Sequence, residues 1–476
     1  MATRDRSRTL AALVGGALVA ASATTFIGEG AAFADEPTSW FERPPLTLAV
    51  GRGDAPSRLT FYGFIEADAI WDSTRSYGDA IGDTLVARSD TYDGRASRAQ
   101  MSMRNSRLGL AFEAPPYGRA RASAVLEGDF FGTQHGPPAT SESAFYDSPT
   151  FRVRHAFFKV ETPFVDVLAG QTYDVFGWQN YFFPCTAEYL GLPNMVFSRD
   201  VQARLARTFA PGGPVSVDVA VSAARPAQRD AGVPDVQGGV RVSANGWRGI
   251  TTPGNVGTIA LPLSVGVSGV TRRFKVNAFA PPPTQSSNSA TGWGVSIDAL
   301  VPIIPASGPG DRRNRLTLTG AFVAGTGIGD LLNARGGAAF PTLPNPAQAT
   351  PPPVYDADID DGLVSFDTQG VLHTIDWRAF RAGLQYYAPP GGRLILAANY
   401  TEAHSSNMAK LFPMGGAEIE LLGRVANTSR YADVNLFFDA TPSVRVGLSG
   451  QYTQVHYLDG DQPHNLRAMG QAVYVF

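Results

Sequence analysis

The last twelve residues, NLRAMGQAVYVF (465–476), decide the fold class. Every second residue from Leu466 to Phe476 is apolar or small, whereas Arg467 and Gln471 lie on the opposite face. Alternation with a period of two indicates a β-strand that has one apolar and one polar face. The C-terminal segment is therefore predicted to be a strand.

The same alternation precedes this segment in a hairpin. Val444, Val446 and Leu448 alternate with polar residues in one strand, and the strand before it is separated only by the turn Thr441-Pro442-Ser443. A polar face needs water, and an apolar face needs lipid or a core. A large transmembrane barrel provides both, with lipid outside and a wet lumen inside.

Segments of this kind recur along the chain, separated alternately by short and long links. They predict an all-β fold, a transmembrane antiparallel β-barrel of 16 strands with short periplasmic turns and long extracellular loops. The region 247–290 leaves a count of 18 open. The predicted strands are 59–72, 104–113, 119–131, 151–161, 164–173, 200–209, 214–223, 236–246, 262–280, 291–302, 314–325, 373–387, 393–403, 430–440, 444–457 and 465–476.

The composition agrees with this class. Only 17% of the 476 residues are charged, below the roughly 25% of soluble domains. The 51 glycines and 35 prolines suit many turns and irregular loops. The formal net charge of −3 predicts no attraction to nucleic acid. Cys185 is the single cysteine, so no disulfide forms within the chain.

The N-terminus has the features of a cleaved signal peptide, residues 1–34. Three arginines precede an apolar run, and Ala32-Phe33-Ala34 fits a cleavage site. Residues 35–57 are then a short periplasmic segment and 58–476 the barrel. No later stretch reaches 18 uninterrupted apolar residues, so spanning helices are not expected. We expect export to the outer membrane, contact with its lipid, and assembly by machinery that reads the terminal aromatic strand.

Charged residues on the polar strand faces are the candidate pore lining. An arginine on the lipid face costs about 2–4 kcal/mol at the midplane, so these side chains are expected to point inward. They can attract anions and grip carboxylates bidentately, or they can pair with neighbouring carboxylates and stiffen the wall. The predicted basic ladder is Arg107, Arg119, Arg121, Arg152, Arg154 and Arg204, and the acidic set is Glu66, Asp68, Glu127 and Asp129. Phe158 falls on the same face as Arg152 and Arg154.

The long link 174–199 is the candidate constriction loop. It follows Gly-Gln-Thr (170–172) and is rich in aromatic residues that water would solvate poorly. Its alternative role is an extracellular loop packed on neighbours or in a subunit contact. The residues expected at the constriction are Asp174, Tyr181, Glu188 and Arg199.

An enzymatic role is not expected. The six histidines are scattered without metal-ligand spacing, and no serine stands in a G-x-S-x-G motif. We therefore predict neither a cofactor nor a metal ion.

Several segments together resemble the DcaP-like trimeric porins. They are LTFYGFIEADAIWD (59–72), RNSRLGLAFE (104–113), RVRHAFF (152–158), LAGQTYDVF (168–176) and NLFFDATPSVRVGL (435–448). The resemblance implies a homotrimeric 16-stranded channel for small, often anionic solutes such as dicarboxylates. Residues 35–57 lack heptads, so the family's N-terminal coiled coil is not expected here. The alternative is a non-conducting structural or surface-binding barrel that acts through its loops.

Overall fold

The chain forms a closed antiparallel barrel of sixteen wall strands. The computed structural model describes residues 46–51, 56–81, 85–132, 150–188, 191–228, 231–277, 287–308, 310–333, 362–367, 371–411 and 425–476; the predicted signal peptide lies outside them. The strands are β2 (Ser57–Asp72), β3 (Arg98–Ser102) with β4 (Arg107–Glu113) as one interrupted wall strand, β5 (Arg121–Gly132), β6 (Thr150–Glu161), β7 (Asp166–Tyr173), β8 (Arg199–Phe209), β9 (Val215–Ala224), β10 (Asp235–Thr251), β11 (Ile259–Asn277), β12 (Ser287–Ile304), β13 (Arg315–Thr326), β16 (Asp376–Ala388), β17 (Leu394–His404), β18 (Ala426–Thr441), β19 (Val444–Tyr457) and β20 (His464–Val475).

The remaining elements are short and lie outside the wall. Before the barrel, β1 (Leu46–Val50) pairs with the start of β2. The others are a small hairpin of β14 (Val364–Phe366) and β15 (Leu372–Thr374), the helices α1 (Tyr92–Arg95), α2 (Gln179–Phe182) and α3 (Met408–Leu411), and 3₁₀ turns at Phe176–Trp178 and Gly329–Leu331.

The C-terminal strand closes the barrel. β20 pairs with β2 from Phe64↔Val475 to Asp72↔Arg467. Beyond it, the backbone N–H of Phe476 donates to the carbonyl of Gly63 at 3.1 Å. The Phe476 ring stacks on Phe61 with centroids 5.4 Å apart. The predicted seam is therefore confirmed, and it removes the two free sheet edges.

Alternate residues of each strand face lipid and lumen. On β8, Val201 and Leu205 are exposed, whereas Gln202 and Arg204 between them are buried. Exposed Val, Leu, Ile and Phe side chains recur in this way around the wall, as a lipid-facing belt requires. Among the described residues, no helix is long and apolar enough to cross a membrane.

The strand count of sixteen is confirmed, with shifted bounds. The second wall strand is longer than predicted and breaks at 103–106, so both β3 and β4 pair with β2. The doubtful region 247–290 contributes no extra strand, because β10 continues to Thr251 and β11 begins at Ile259. The count of 18 is therefore wrong.

Apolar clusters lie inside the barrel instead of between two sheets. One contains Phe176 and Val196 from the link after β7, packed on Val323 of β13 and Trp377 of β16. Another gathers Cys185 of the same link with side chains of β10, β16, β17, β18 and β20. The barrel interior is therefore partly filled by the chain's own links.

Candidate functional site

The link between β7 and β8 turns into the barrel at its first residues. The Asp174 carboxylate accepts a hydrogen bond from Ser198 Oγ at 2.7 Å, which joins the two ends of the link. Gly177 (φ 80°) and Trp178 (φ 43°) are left-handed and reverse the chain direction. Burial, with the Asp200 carboxylate nearby, raises the pKa of Asp174. Residues 174–198 are called the inward loop below.

The near part of the inward loop is bound to β10 and β11. The backbone N–H of Phe176 donates to Gln237 Oε1 at 3.0 Å, and that of Gly177 donates to Ser268 Oγ at 2.8 Å. Gln237 and Ser268 are buried side chains of the inner wall. These bonds satisfy backbone groups that could not remain unpaired in the interior.

The far part of the inward loop is bound to β17 and β18. Thr186 Oγ1 donates to Asp433 Oδ2 at 2.6 Å, and Asn399 Nδ2 donates to the Cys185 carbonyl at 2.8 Å. Around the barrel, β17 and β18 are separated from β10 and β11 by several strands on either side. The inward loop therefore crosses the lumen.

A second segment enters the lumen from the opposite end. This segment is the turn 252–258, which joins β10 to β11. Its Thr252 N–H donates a hydrogen bond to Gln385 Oε1 at 2.8 Å. Across the barrel, Asn255 Nδ2 donates to Glu66 Oε1 at 3.2 Å. Sequence reasoning missed this periplasmic turn. Its one signal is its length of seven residues, longer than the short turns expected at that end.

The inward loop and the turn 252–258 meet each other. Cys185 and Gly254 form a parallel bridge, in which the Thr186 N–H donates to the Gly254 carbonyl at 3.0 Å. The Gly254 N–H donates to the Pro184 carbonyl at 2.8 Å. The two hydrogen-bonded segments therefore connect the extracellular side with the periplasmic side through the lumen.

Arginines and carboxylates of β4 to β8 form one cluster on the inner wall. Arg154 binds Glu127 and Asp129, each at 3.0 Å. Arg152 forms a bidentate pair with Asp129 at 2.7 and 2.9 Å, and Arg107 lies 3.5 Å from Glu127. The arginine cluster, as we use the term, is Arg107, Arg152, Arg154 and Arg199 with Glu127 and Asp129.

A β-bulge explains how β6 presents these side chains. The register slips between Glu127↔His155 and Gly128↔Val153, so one extra residue stands opposite β5. Arg154 and His155 are consequently both buried, and Phe158 is 52% exposed. The predicted placement of Phe158 on the arginine face is wrong, because strict alternation ignores the bulge.

The other predicted basic residues are placed differently. Arg204 is buried and donates to Gln202 Oε1 and to the Tyr173 carbonyl. Arg199, which was predicted at the constriction, belongs to the arginine cluster and lies over the rings of Tyr173 and Phe197, at 5.6 and 5.1 Å from their centroids. Two others lie at the short-turn end. Arg119 is exposed in the turn before β5, and Arg121 is the exposed first residue of β5.

The other two predicted acidic residues, Glu66 and Asp68, are buried on β2. Glu66 accepts hydrogen bonds from Asn105, Asn255 and Gln471. Asp68 faces the same interior and is 2% exposed.

Two residues of the inward loop contact arginines. Glu188 Oε1 accepts from the Ile81 N–H at 3.1 Å, and Oε2 lies 3.7 Å from Arg467. The Tyr181 ring stacks on Arg241, whose guanidinium is 3.3 Å from the ring centroid. Both contacts hold the loop to the inner wall.

Further ion pairs on the inner wall were not predicted. They join neighbouring wall strands, and which charges face each other depends on the strand register, which the sequence pattern does not give. The pairs are Arg272–Asp235 (2.7 Å), Arg445–Asp439 (2.6 Å) and Arg467–Asp72 (2.9 Å). Much of the interior charge is thus neutralised pairwise.

Cavities lie on both sides of the inward loop. One of about 30 Å³ is lined by Trp178, Tyr181, Arg204 and residues of β6 to β9. One of about 10 Å³ is lined by Gln179, Asn194 and residues of β12, β13 and β16. In the part of the chain that the structure describes, no group of three His, Cys, Asp or Glu side chains is placed to hold a metal ion.

Comparisons with known proteins support the barrel class. No protein-family model matches the sequence, and no curated protein matches it. The DcaP outer-membrane channel of Acinetobacter baumannii aligns with 90% of this chain and 100% of its own, at 16% identity and a TM-score of 0.61. The trimer form of OmpT, an outer-membrane protein of Vibrio cholerae, covers 89% of this chain and 100% of its own at 11% identity and 0.48. OprB of Pseudomonas putida covers 88% of this chain and 94% of its own at 13% identity and 0.47.

Closed strand pairing, a lipid-facing apolar belt and the full-length DcaP likeness agree with one another. The chain is therefore a 16-stranded bacterial outer-membrane β-barrel with the fold of the DcaP channel.

Proposed function

We propose that this protein is a porin, a water-filled channel for passive diffusion of small hydrophilic solutes, with a preference for anions of the dicarboxylate kind. The observation that carries the preference is the arginine cluster. Four guanidinium groups stand there against the two carboxylates Glu127 and Asp129, on the wall strands β4, β5, β6 and β8.

The excess positive charge of this cluster favours anions electrostatically. Coulomb interactions are stronger beside a protein wall than in bulk water, since the effective dielectric constant is lower. Guanidinium groups also keep their charge at every physiological pH and can bind carboxylates through two parallel hydrogen bonds. Arg152, which is 28% exposed, is the cluster member most open to a passing solute.

The reversal potential in a KCl gradient across a planar bilayer tests the preference. We expect the wild-type channel to be more permeable to chloride than to potassium, and Arg152→Gln to reduce that ratio. Arg119→Gln is the matched control, because it removes the same charge from an exposed turn outside the cluster. A cation-selective wild-type channel, or equal effects of both variants, would contradict the preference.

The second candidate is a non-conducting structural or surface-binding barrel. It is favoured by the two segments that cross the lumen and by the burial of many inward side chains. Absence of conductance from correctly folded protein would support this candidate over the porin.

We also propose that the protein assembles as a homotrimer, on the basis of the resemblance to DcaP-like porins. Chemical cross-linking of the detergent-solubilised protein, followed by mass determination, tests this. A monomeric mass would overturn it.

A further inference from the structure

An acidic and a basic residue lie in one row on the wall opposite the arginine cluster. Asp298 of β12 is the register partner of Ala321 on β13, and Ala321 is the partner of Arg381 on β16. Neighbouring strands are about 4.8 Å apart, so the two charged residues start about 10 Å apart. Ala321 lies between them, and its single methyl group fills little of the space between the two charged side chains.

Neither charge makes a direct ion pair among the described residues, and the two act on each other only across the row. Asp298 Oδ2 accepts from Ser296 Oγ at 2.6 Å, and Arg381 Nη1 donates to Thr319 Oγ1 at 3.1 Å. Both charged side chains are only 3% exposed. Arg154 and Arg445, by contrast, each bind a carboxylate directly.

The inward loop covers this row. Gly177, Gln179 and Asn194 of the loop line one cavity together with Asp298, Ala321 and Arg381. Asn194 is 1% exposed, and its Oδ1 has no hydrogen-bond partner among the described residues. Burial of an acceptor without a partner is unfavourable, so a visiting donor at this position would be stabilised.

Two buried charges that face each other without contact are only partly compensated, and a molecule that contacts both would complete the pairing. A carboxylate of the solute would bind the guanidinium of Arg381. An ammonium group would bind the Asp298 carboxylate and the free acceptor of Asn194. The row has no net charge, so it selects a dipolar solute and not a simple ion.

We propose that Asp298, Arg381 and Asn194 form a binding site for amino acids on the permeation path. This inference rests on the proposed porin function and adds an ammonium requirement to its carboxylate preference. The cavity of about 10 Å³ holds no more than one water molecule, so the inward loop must shift from β13 to admit the solute.

Uptake of L-aspartate and succinate into proteoliposomes containing the full-length protein tests the site. The two solutes share one carbon skeleton and differ by the ammonium group. We expect wild type to take up aspartate faster than succinate. Asp298→Asn retains the shape of the side chain and its hydrogen bond to Ser296. It should slow aspartate uptake about tenfold, as loss of one charge-assisted contact does, and leave succinate uptake unchanged.

Two further variants make the result specific. Ala321→Val fills the space between the charges without changing either of them. It should slow the uptake of aspartate more than that of succinate, and it tests the site even if Asp298→Asn does not fold. Asp311→Asn is the control, because it removes a carboxylate from a turn outside the lumen. Its aspartate-to-succinate ratio should equal that of wild type.

The failures of the two proposals are distinguishable. Equal uptake of both solutes by wild type, or an unchanged ratio in both Asp298→Asn and Ala321→Val, overturns the amino-acid site while the porin function stands. A folded protein that admits neither solute and shows no conductance overturns the porin function and the site with it.

Discussion

Cys185 and Gly254 lie side by side in the middle of the barrel, although one enters from the extracellular link and the other from the periplasmic turn. Two backbone hydrogen bonds, at 2.8 and 3.0 Å, hold them together. Because the inward loop is also bound to β10, β11, β17 and β18, this contact joins two otherwise separate insertions into one internal structure. A covalent bond between residues 185 and 254 would therefore fix both segments together.

Gly254→Cys should form a disulfide with the native Cys185 under oxidising conditions, because bridge partners in adjacent segments are close enough for one. Closing a loop of this length stabilises a protein by up to about 4 kcal/mol, offset by about 1–2 kcal/mol because residue 254 is left-handed (φ 63°). Thermal unfolding in detergent should therefore shift upward by a reductant-sensitive amount. Gly254→Ser is the control, and an identical shift in that variant would contradict the disulfide.

Arg154 should contribute more to stability than Arg152. Arg154→Gln removes the cation that two buried carboxylates share and leaves them to Arg152 and Arg107, at a cost of about 3 kcal/mol. Arg152→Gln leaves Arg154 in place on Asp129 and removes a partly exposed group, at a cost of about 1 kcal/mol. Heat-induced loss of the folded band on electrophoresis measures both, and equal losses would show that the cluster does not depend on Arg154.

Gly63→Ala should weaken barrel closure. A Cβ at residue 63 would lie 2.3 Å from the Arg107 carbonyl oxygen and 2.9 Å from the Phe476 ring, so the strand seam must distort. We expect a loss of at least about 2 kcal/mol, as in overpacked cores. Gly450→Ala on β19 is the matched control, since nothing lies within 4 Å of its added Cβ. Unfolding by denaturant compares the two, and equal stability would refute the close seam.

The turn between β12 and β13 should make stability depend on pH. Hydrogen bonds from Arg315 lower the pKa of Asp311 to about 2, below its usual value of about 4. A carboxyl with a lowered pKa in the folded state stabilises fully above its unfolded pKa and loses that contribution as pH falls through the folded one. Asp311→Asn should therefore melt lower than wild type at pH 7, with the difference vanishing between about pH 4 and pH 2. A difference that persists at pH 2 would contradict this.

Some of the arginine cluster could be predicted from the sequence, but its pairing could not. Arg107 and Arg154 were expected to face inward because lipid excludes them, and both are buried in the interior. Which carboxylate each one binds depends on the register between strands, and at β6 it depends on the bulge that turns Phe158 outward. A bulge leaves no mark in a pattern that alternates strictly on either side of it.

The sequence by itself determined the barrel. Strand number, turn rhythm and the seam at Phe476 follow from a two-residue period, because every wall residue must face either lipid or the interior. Only the tertiary structure decided what fills that interior. The meeting of Cys185 with Gly254, and the row of Asp298 and Arg381, join segments that are far apart in the chain. Such contacts arise from register and closure around the whole wall, which no local pattern encodes.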